Sequence, residues 1–278
     1  MDLEKNAKLL CEYFASTKPF LIGRNGTVEL EVLLCKDIPN ILANKLELHA
    51  GVFPSSHAES WRLDYLDALA DCDVVAEGWY KPLAEREKTL LDSVNKERKS
   101  ILLRNLEPYY VAPELRWTSL LAGKRVAIVN SFATTCDEQT YMAKALWEDS
   151  ESLLPSSTTW IPIQTYYGPL LANGNAGWPS ATNYREAIQD VVERTLMQKA
   201  EVAIIGCGGL GMIIGSQLKK SGVQCIVMGG ATQILFGIKG KRWLNHEVIS
   251  KFFNDAWVFP AISCIPGNAL RIEGGCYW

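Results

Sequence analysis

Hydrophobic positions along the chain follow two periods in alternation. Short runs rich in β-branched and other apolar residues at 20–23, 73–76, 101–103, 125–129, 159–163, 202–205 and 224–228 read as buried strands. Between them, apolar residues recur at helical spacing. The first such stretch is 2–16, with Leu3, Leu9, Leu10 and Tyr13 on one side, and the next starts at Gly26 or Thr27. Others fall at 37–49, 56–69, the charge-rich 85–99, 139–147, a segment carrying Tyr184, Ala187, Ile188, Val191, Val192 and Leu196, and 212–220. Thr135 with Glu138, and Asn183 with Glu186, stand at capping-box spacing before two of these helices. Residues 166–179 read as a loop rich in glycine, asparagine and aromatic side chains, 246–254 as a last helix, and the tail to Trp278 as irregular. Strands and helices that alternate in this way predict an α/β fold, Rossmann-like, with a mostly parallel sheet and helices on both faces. No repeat, linker or low-complexity segment divides the chain, so 1–278 reads as a single domain.

The most informative stretch is 201–243. A strand meets the cluster Gly206, Gly208, Gly209 and Gly211, a helix follows, and a second strand ends in Gly229 and Gly230. That is a βαβ unit. Ligands of parallel sheets sit beyond the carboxyl ends of the strands, where glycines let backbone N–H groups approach an anion and a helix N-terminus favours negative charge. Gly206, Gly208 and Gly211 match G-x-G-x-x-G, but a dinucleotide site also wants an acid about 20 residues on. Met228, Gly229 and Gly230 occupy that place. Three readings stay open: a dinucleotide cofactor, a mononucleotide or phosphate-bearing ligand, and glycines that permit close packing. On the phosphate reading, Gly208→Val is expected to block the ligand and leave the fold largely intact.

Arg24, Asn25, Gly26 and Thr27 follow the first strand and place Glu29 in the first turn of the next helix. Glu29 then either complements the helix dipole, worth about 0.3–1 kcal/mol, or shares the crevice of the glycine turns with Arg24 as carboxylate and phosphate clamp. Ser131 and Phe132 lie at another strand-to-helix turn. Glu77 and Asp137 are reserve carboxylates, since each follows a strand end.

Composition narrows the classes. Net charge of -3 with 28 basic and 31 acidic residues argues against a nucleic-acid partner. The basic group Lys239, Lys241 and Arg242 is too small to change that. Eight cysteines without C-x-x-C spacing read as reduced thiols. The first ten residues lack the pattern of a leader, and no apolar run is long enough to span a membrane, so a cytoplasmic protein is expected. His49 and His57 lack a third donor at metal-ligand spacing and read as structural.

The order of these turns resembles the GT-D type glycosyltransferases. The likeness rests on R-x-G-x-x-E after a first strand (Arg24, Gly26, Glu29), then Gly51-Val52-Phe53-Pro54, then a late strand, glycine loop and helix followed by Gly229-Gly230-Ala231 and a segment ending at Trp243. It covers most of 18–243 through short motifs. What the resemblance implies is transfer of a sugar from a nucleotide-sugar donor, usually a UDP-sugar, to a hydroxyl of a glycan acceptor. Arg24 and Glu29 would be catalytic. The donor would lie against Arg24, Asn25, Gly26, Thr27, Ser131, Phe132, Gly206, Cys207, Gly208, Gly209, Leu210, Gly229, Gly230, Gln233, Lys239 and Arg242. The family motif looks like R-Y-G-D-G-E, so Asn25 replaces the aromatic and Thr27 the aspartate. With Glu29 the one hard anionic ligand left in that motif, dependence on manganese or magnesium is expected to be weak or absent. Arg24 with Lys239 or Arg242 would then stabilise the leaving diphosphate. The competing classes are an NAD(P)-dependent oxidoreductase using the 206–211 turn and a non-catalytic nucleotide-binding module. An oligomer is compatible with either.

Overall fold

The computed structural model describes residues 2–278 and contains one sheet of seven parallel strands. The strands are β1 (Leu21–Gly23), β2 (Val74–Ala76), β3 (Lys99–Ile101), β4 (Arg125–Asn130), β5 (Thr159–Gln164), β6 (Val202–Gly206) and β7 (Gln224–Val227). Their order across the sheet is β3-β2-β1-β7-β6-β4-β5, with every neighbouring pair parallel. The fold is α/β and Rossmann-like, as the alternating periods predict.

Alternate side chains of the strands enter two separate cores. Ile22, Val74, Val126, Ile128, Val202, Ile204 and Ile226 face one; Leu21, Val75, Ala127, Val129, Ala203, Ile205 and Val227 face the other. Strands covered on both sides must be apolar on both, which is why they appear in sequence as unbroken runs. The second face is covered by the helices Thr27–Leu33, Asn40–Ala50, Ala58–Ala70, Ala84–Val94, Tyr184–Met197 and Gly211–Lys220. The first is covered by the helix Leu3–Ala15, the segment 103–121, the short helices between β4 and β5, and the chain after β7. Connections that step toward the β3 edge use the second face, and those that step toward the β5 edge use the first. One crossover hand throughout requires that division. The chain leaves β4 toward one edge and β6 toward the other, so the topological switch point lies between these neighbours, at Asn130 and Gly206.

Differences from expectation have local causes. The third strand is Lys99–Ile101 rather than 101–103, because it pairs with β2 from Val74↔Lys99 to Ala76↔Ile101 and the chain then turns into a helix at Leu103–Leu106. The helix expected at 139–147 is replaced by Ala133–Thr140 and Ala143–Leu146. Its entry is fixed by the Asn130 side chain, which accepts from the Phe132 N–H at 2.8 Å, not by Thr135. The Asn183 cap forms: its Oδ1 accepts from Arg185 N and Glu186 N at 3.0 and 3.1 Å, and Glu186 reaches back to Thr182. Of 246–254, only Ile249–Phe252 is helical, as a single 3-10 turn. The irregular tail is packed, not loose: Ala269, Ile272, Cys276 and Trp278 belong to the first core. All eight cysteines are unpaired, and among the described residues no helix is long and apolar enough to cross a membrane.

Candidate functional site

The carboxyl ends of β1, β2 and β7 surround Arg24. Its guanidinium lies over the Trp79 ring, 4.5 Å from the centroid, and its Nε donates to the Asn25 carbonyl at 3.3 Å. A Cβ on Gly229 would come within 2.9 Å of Arg24 Nη1, so the glycine turn after β7 leaves the room this side chain uses. Among the described residues no carboxylate is within ion-pair distance of Arg24. A half-buried guanidinium with open donors at a strand-end crevice is an anion site in waiting.

Asn25 anchors that arginine. Fully buried, it donates from Nδ2 to Glu87 Oε1 at 2.9 Å and accepts at Oδ1 from the Tyr65 hydroxyl at 3.1 Å; its carbonyl accepts from Trp79 Nε1 at 3.0 Å. Glu87 Oε2 also accepts from Gly78 N at 2.9 Å. This network ties the end of β1 to the end of β2. The side chain of Asn25 is thereby spent on folding, a correction to its expected place against a donor.

Two carboxyls share the neighbourhood of Arg24. Glu29 is buried in the first turn of Thr27–Leu33, with its carboxyl folded back onto Gly26, where a Cβ would come within 2.0 Å of Oε2. Burial raises its pKa, opposed by its own backbone N–H and by Arg24. Glu107, half-buried just beyond β3, has no hydrogen-bond donor, and burial pushes it up to about 7 against the pull of Arg24 and Arg104. Sequence reasoning missed Glu107 and Trp79. Glu107 follows β3 by six residues, beyond the helix Leu103–Leu106, so no strand end points to it; Trp79 had a signal, since it follows β2 by three residues. Glu77 is engaged by Arg98 at 2.6 Å and Ser100 at 2.7 Å, which commits it to structure. Asp137 lies within the helix Ala133–Thr140 on the far side of the switch point.

The glycines after β6 permit close packing. A Cβ on Gly206 would meet Asn130 Nδ2, the Gly229 carbonyl and Thr232 Oγ1 at 2.5–2.7 Å; on Gly208, at φ +50, it would meet the Ala50 carbonyl at 2.8 Å; on Gly209, Val52 at 3.0 Å. Trp61 Nε1 donates to the Gly209 carbonyl at 2.8 Å. The chain at 50–52 therefore packs against one side of this turn, while Gly208 itself stays exposed. The expectation that Gly208→Val spares the fold fails on this geometry: we expect it to lower the melting temperature by several degrees or prevent folding, measured by calorimetry without ligand.

The remaining predicted residues divide by burial. Phe132, Leu210 and Gln233 are buried, and Gln233 Nε2 donates to the carbonyls of Lys239 and Tyr277 at 2.8 and 2.9 Å, so these three support the site from within. Gly26, Thr27, Ser131, Gly206, Cys207, Gly229 and Gly230 are partly open at the strand ends. Ser131 Oγ accepts from the Tyr167 hydroxyl at 2.9 Å. The Tyr277 ring lies on Gly230, where a Cβ would come within 3.0 Å, and its hydroxyl accepts from Arg242 Nη1 at 2.8 Å. Arg242 thus reaches the second glycine turn through Tyr277. Lys239 does not join it; its Nζ lies over the Phe253 and Phe259 rings at 5.8 and 5.9 Å. Among the described residues no three His, Cys, Asp or Glu side chains form a metal-binding group.

No family model and no curated protein matches the chain. Among solved structures it is similar to the selenomethionine-substituted structure of domain of unknown function 1792 (DUF1792), at 11% identity and a TM-score of 0.49, over 83% of this chain and 82% of that one. The fold assignment stands on the sheet itself, independently of that likeness.

Proposed function

We propose that this protein is a glycosyltransferase that moves a sugar from a nucleotide-sugar donor, of which a UDP-sugar is the first choice, to a hydroxyl of a glycan. The observation that carries the reading is the unpaired Arg24 guanidinium, held at the strand ends between the Gly229 turn and Trp79, with Glu29 and Glu107 within reach of its electrostatic field. An arginine with open donors favours a diphosphate, and a carboxyl titrating near neutrality suits proton transfer. The acceptor oxygen bonds to the anomeric carbon as the bond from that carbon to the diphosphate oxygen breaks. The electron pair leaves with the nucleoside diphosphate beside Arg24, and the hydroxyl proton passes to Glu107. The R-x-G-x-x-E resemblance supports Arg24 in this role and offers Glu29, not Glu107, as the carboxylate. Against the oxidoreductase reading, no acid follows β7 at the place a dinucleotide ribose needs.

Thermal-shift and turnover measurements with UDP, UDP-sugars, GDP-sugars, NAD and NADP test it. A ligand at 100 times its dissociation constant stabilises by about 2.7 kcal/mol, so a nucleotide sugar should raise the melting temperature clearly. Stabilisation by NAD or NADP and by no nucleotide sugar would overturn the proposal. Stabilisation by UDP without turnover of any UDP-sugar would mark a binding module instead.

A further inference from the structure

Beyond β5 the chain makes a cleft of about 430 Å³, lined on one side by Tyr166 and Trp178 and on the other by Glu186, Asp190 and Arg194. The two rings meet edge to face, 5.5 Å between centroids, and the helix Tyr184–Met197 supplies the charged wall. Three features define what fits. First, the aromatic wall offers a ring face for stacking against an apolar patch of a ligand. Second, the Trp178 indole N–H is turned away from the open cleft, buried and without an acceptor, which leaves the ring rather than the N–H as the contact surface. Third, the charge is unfavourable to anions. Arg194 is neutralised by Asp190, at 3.0 and 2.6 Å from Nε and Nη2, while Glu186, held by Thr182, adds a negative charge. A phosphate-bearing ligand would meet net negative charge, and a wholly apolar one would desolvate two carboxylates. A neutral polyhydroxy ring, apolar on one face and rich in hydroxyls at its edge, meets neither cost.

The cleft reaches the carboxyl ends of β5 and its neighbour β4. Arg194 Nη2 also donates to the Gln164 carbonyl at 2.9 Å, and Gln164 Nε2 donates to the Ser131 carbonyl at 2.5 Å. We propose that this cleft is a saccharide-binding subsite, with Trp178 as stacking platform and the Glu186 and Asp190 carboxylates as acceptors for the hydroxyls at the ring edge. It rests on the glycosyltransferase reading only for the ligand's role as acceptor; the saccharide chemistry stands on the cleft.

The test uses the whole protein labelled with 5-fluorotryptophan. Its nine tryptophans give separate fluorine resonances, and Trp178→Phe assigns the one in question. Lactose, methyl α-mannoside and N,N′-diacetylchitobiose are titrated to tens of millimolar, with UDP in a parallel titration. We expect at least one saccharide to shift the Trp178 resonance in a saturable way, and Glu186→Gln with Asp190→Asn to weaken that response tenfold or more. If no saccharide moves Trp178, or if UDP moves it and no saccharide does, the inference is overturned. A saccharide response without any nucleotide-sugar binding would sink the transferase reading and leave the subsite standing. Nucleotide-sugar turnover with Trp178 silent does the reverse.

Discussion

Arg24→Ala is expected to lower nucleotide-sugar affinity by on the order of 10²-fold or more, with little change in the melting temperature of the free protein. Each charge-assisted hydrogen bond lost from a phosphate costs about 1.5–3 kcal/mol, and a guanidinium commonly makes two. In the free protein the side chain makes no ion pair; its contacts are the Trp79 ring and the neighbouring Asn25 carbonyl. Cation–π stacking of this kind contributes roughly 0.5–2 kcal/mol, so folding should survive its loss. Arg24→Lys keeps the charge but not the planar fork and should recover part of the affinity. Calorimetric titration with the best nucleotide sugar reads both. Binding by Arg24→Ala within threefold of wild type would show that the diphosphate lies elsewhere along the strand ends.

The sheet was legible because its strands are buried on both faces and therefore stand out as apolar runs, and because glycine turns punctuate their carboxyl ends. The Arg24 motif was legible for the same reason: a polar tetrapeptide directly after a buried strand has nowhere to go but the sheet edge. What the glycines do there was not legible. G-x-G-x-x-G describes backbone freedom, which serves the approach of a phosphate and of the Ala50 carbonyl alike; the packing partner, 50–52, is remote in sequence. Asn25 shows the same limit. Nothing in its neighbours signals that Tyr65 and Glu87 will converge on it and turn a candidate ligand contact into a strut. Glu107 was hidden because the helix Leu103–Leu106 separates it from the edge strand β3. Its raised pKa arises from burial, which no local pattern carries.

Glu107 also gives a result that does not depend on knowing the substrate. Its carboxyl takes up a proton near pH 7 in the folded protein and near 4.5 in an ordinary environment. Between those values the folded state holds a proton that the unfolded state has lost, so this group's contribution to stability falls as pH rises through the window. Below about 4.5 both states are protonated and the contribution is constant. The charged groups acting on it are Arg24 and Arg104, which favour ionisation, while its own charge in turn raises the Tyr109 and Tyr110 hydroxyls. Glu107→Gln removes the ionisation. The variant should melt above wild type at pH 8 and match it near pH 4.5, as calorimetry across that range would read. Equal melting at pH 8 would mean that the carboxyl ionises there without cost. In turnover, loss of the general base should lower kcat by about 10²–10⁴-fold and remove the limb that rises toward pH 7. If Glu107→Gln keeps that limb, the proton goes to another group, and Glu29, the other desolvated carboxyl beside Arg24, is the one to change next.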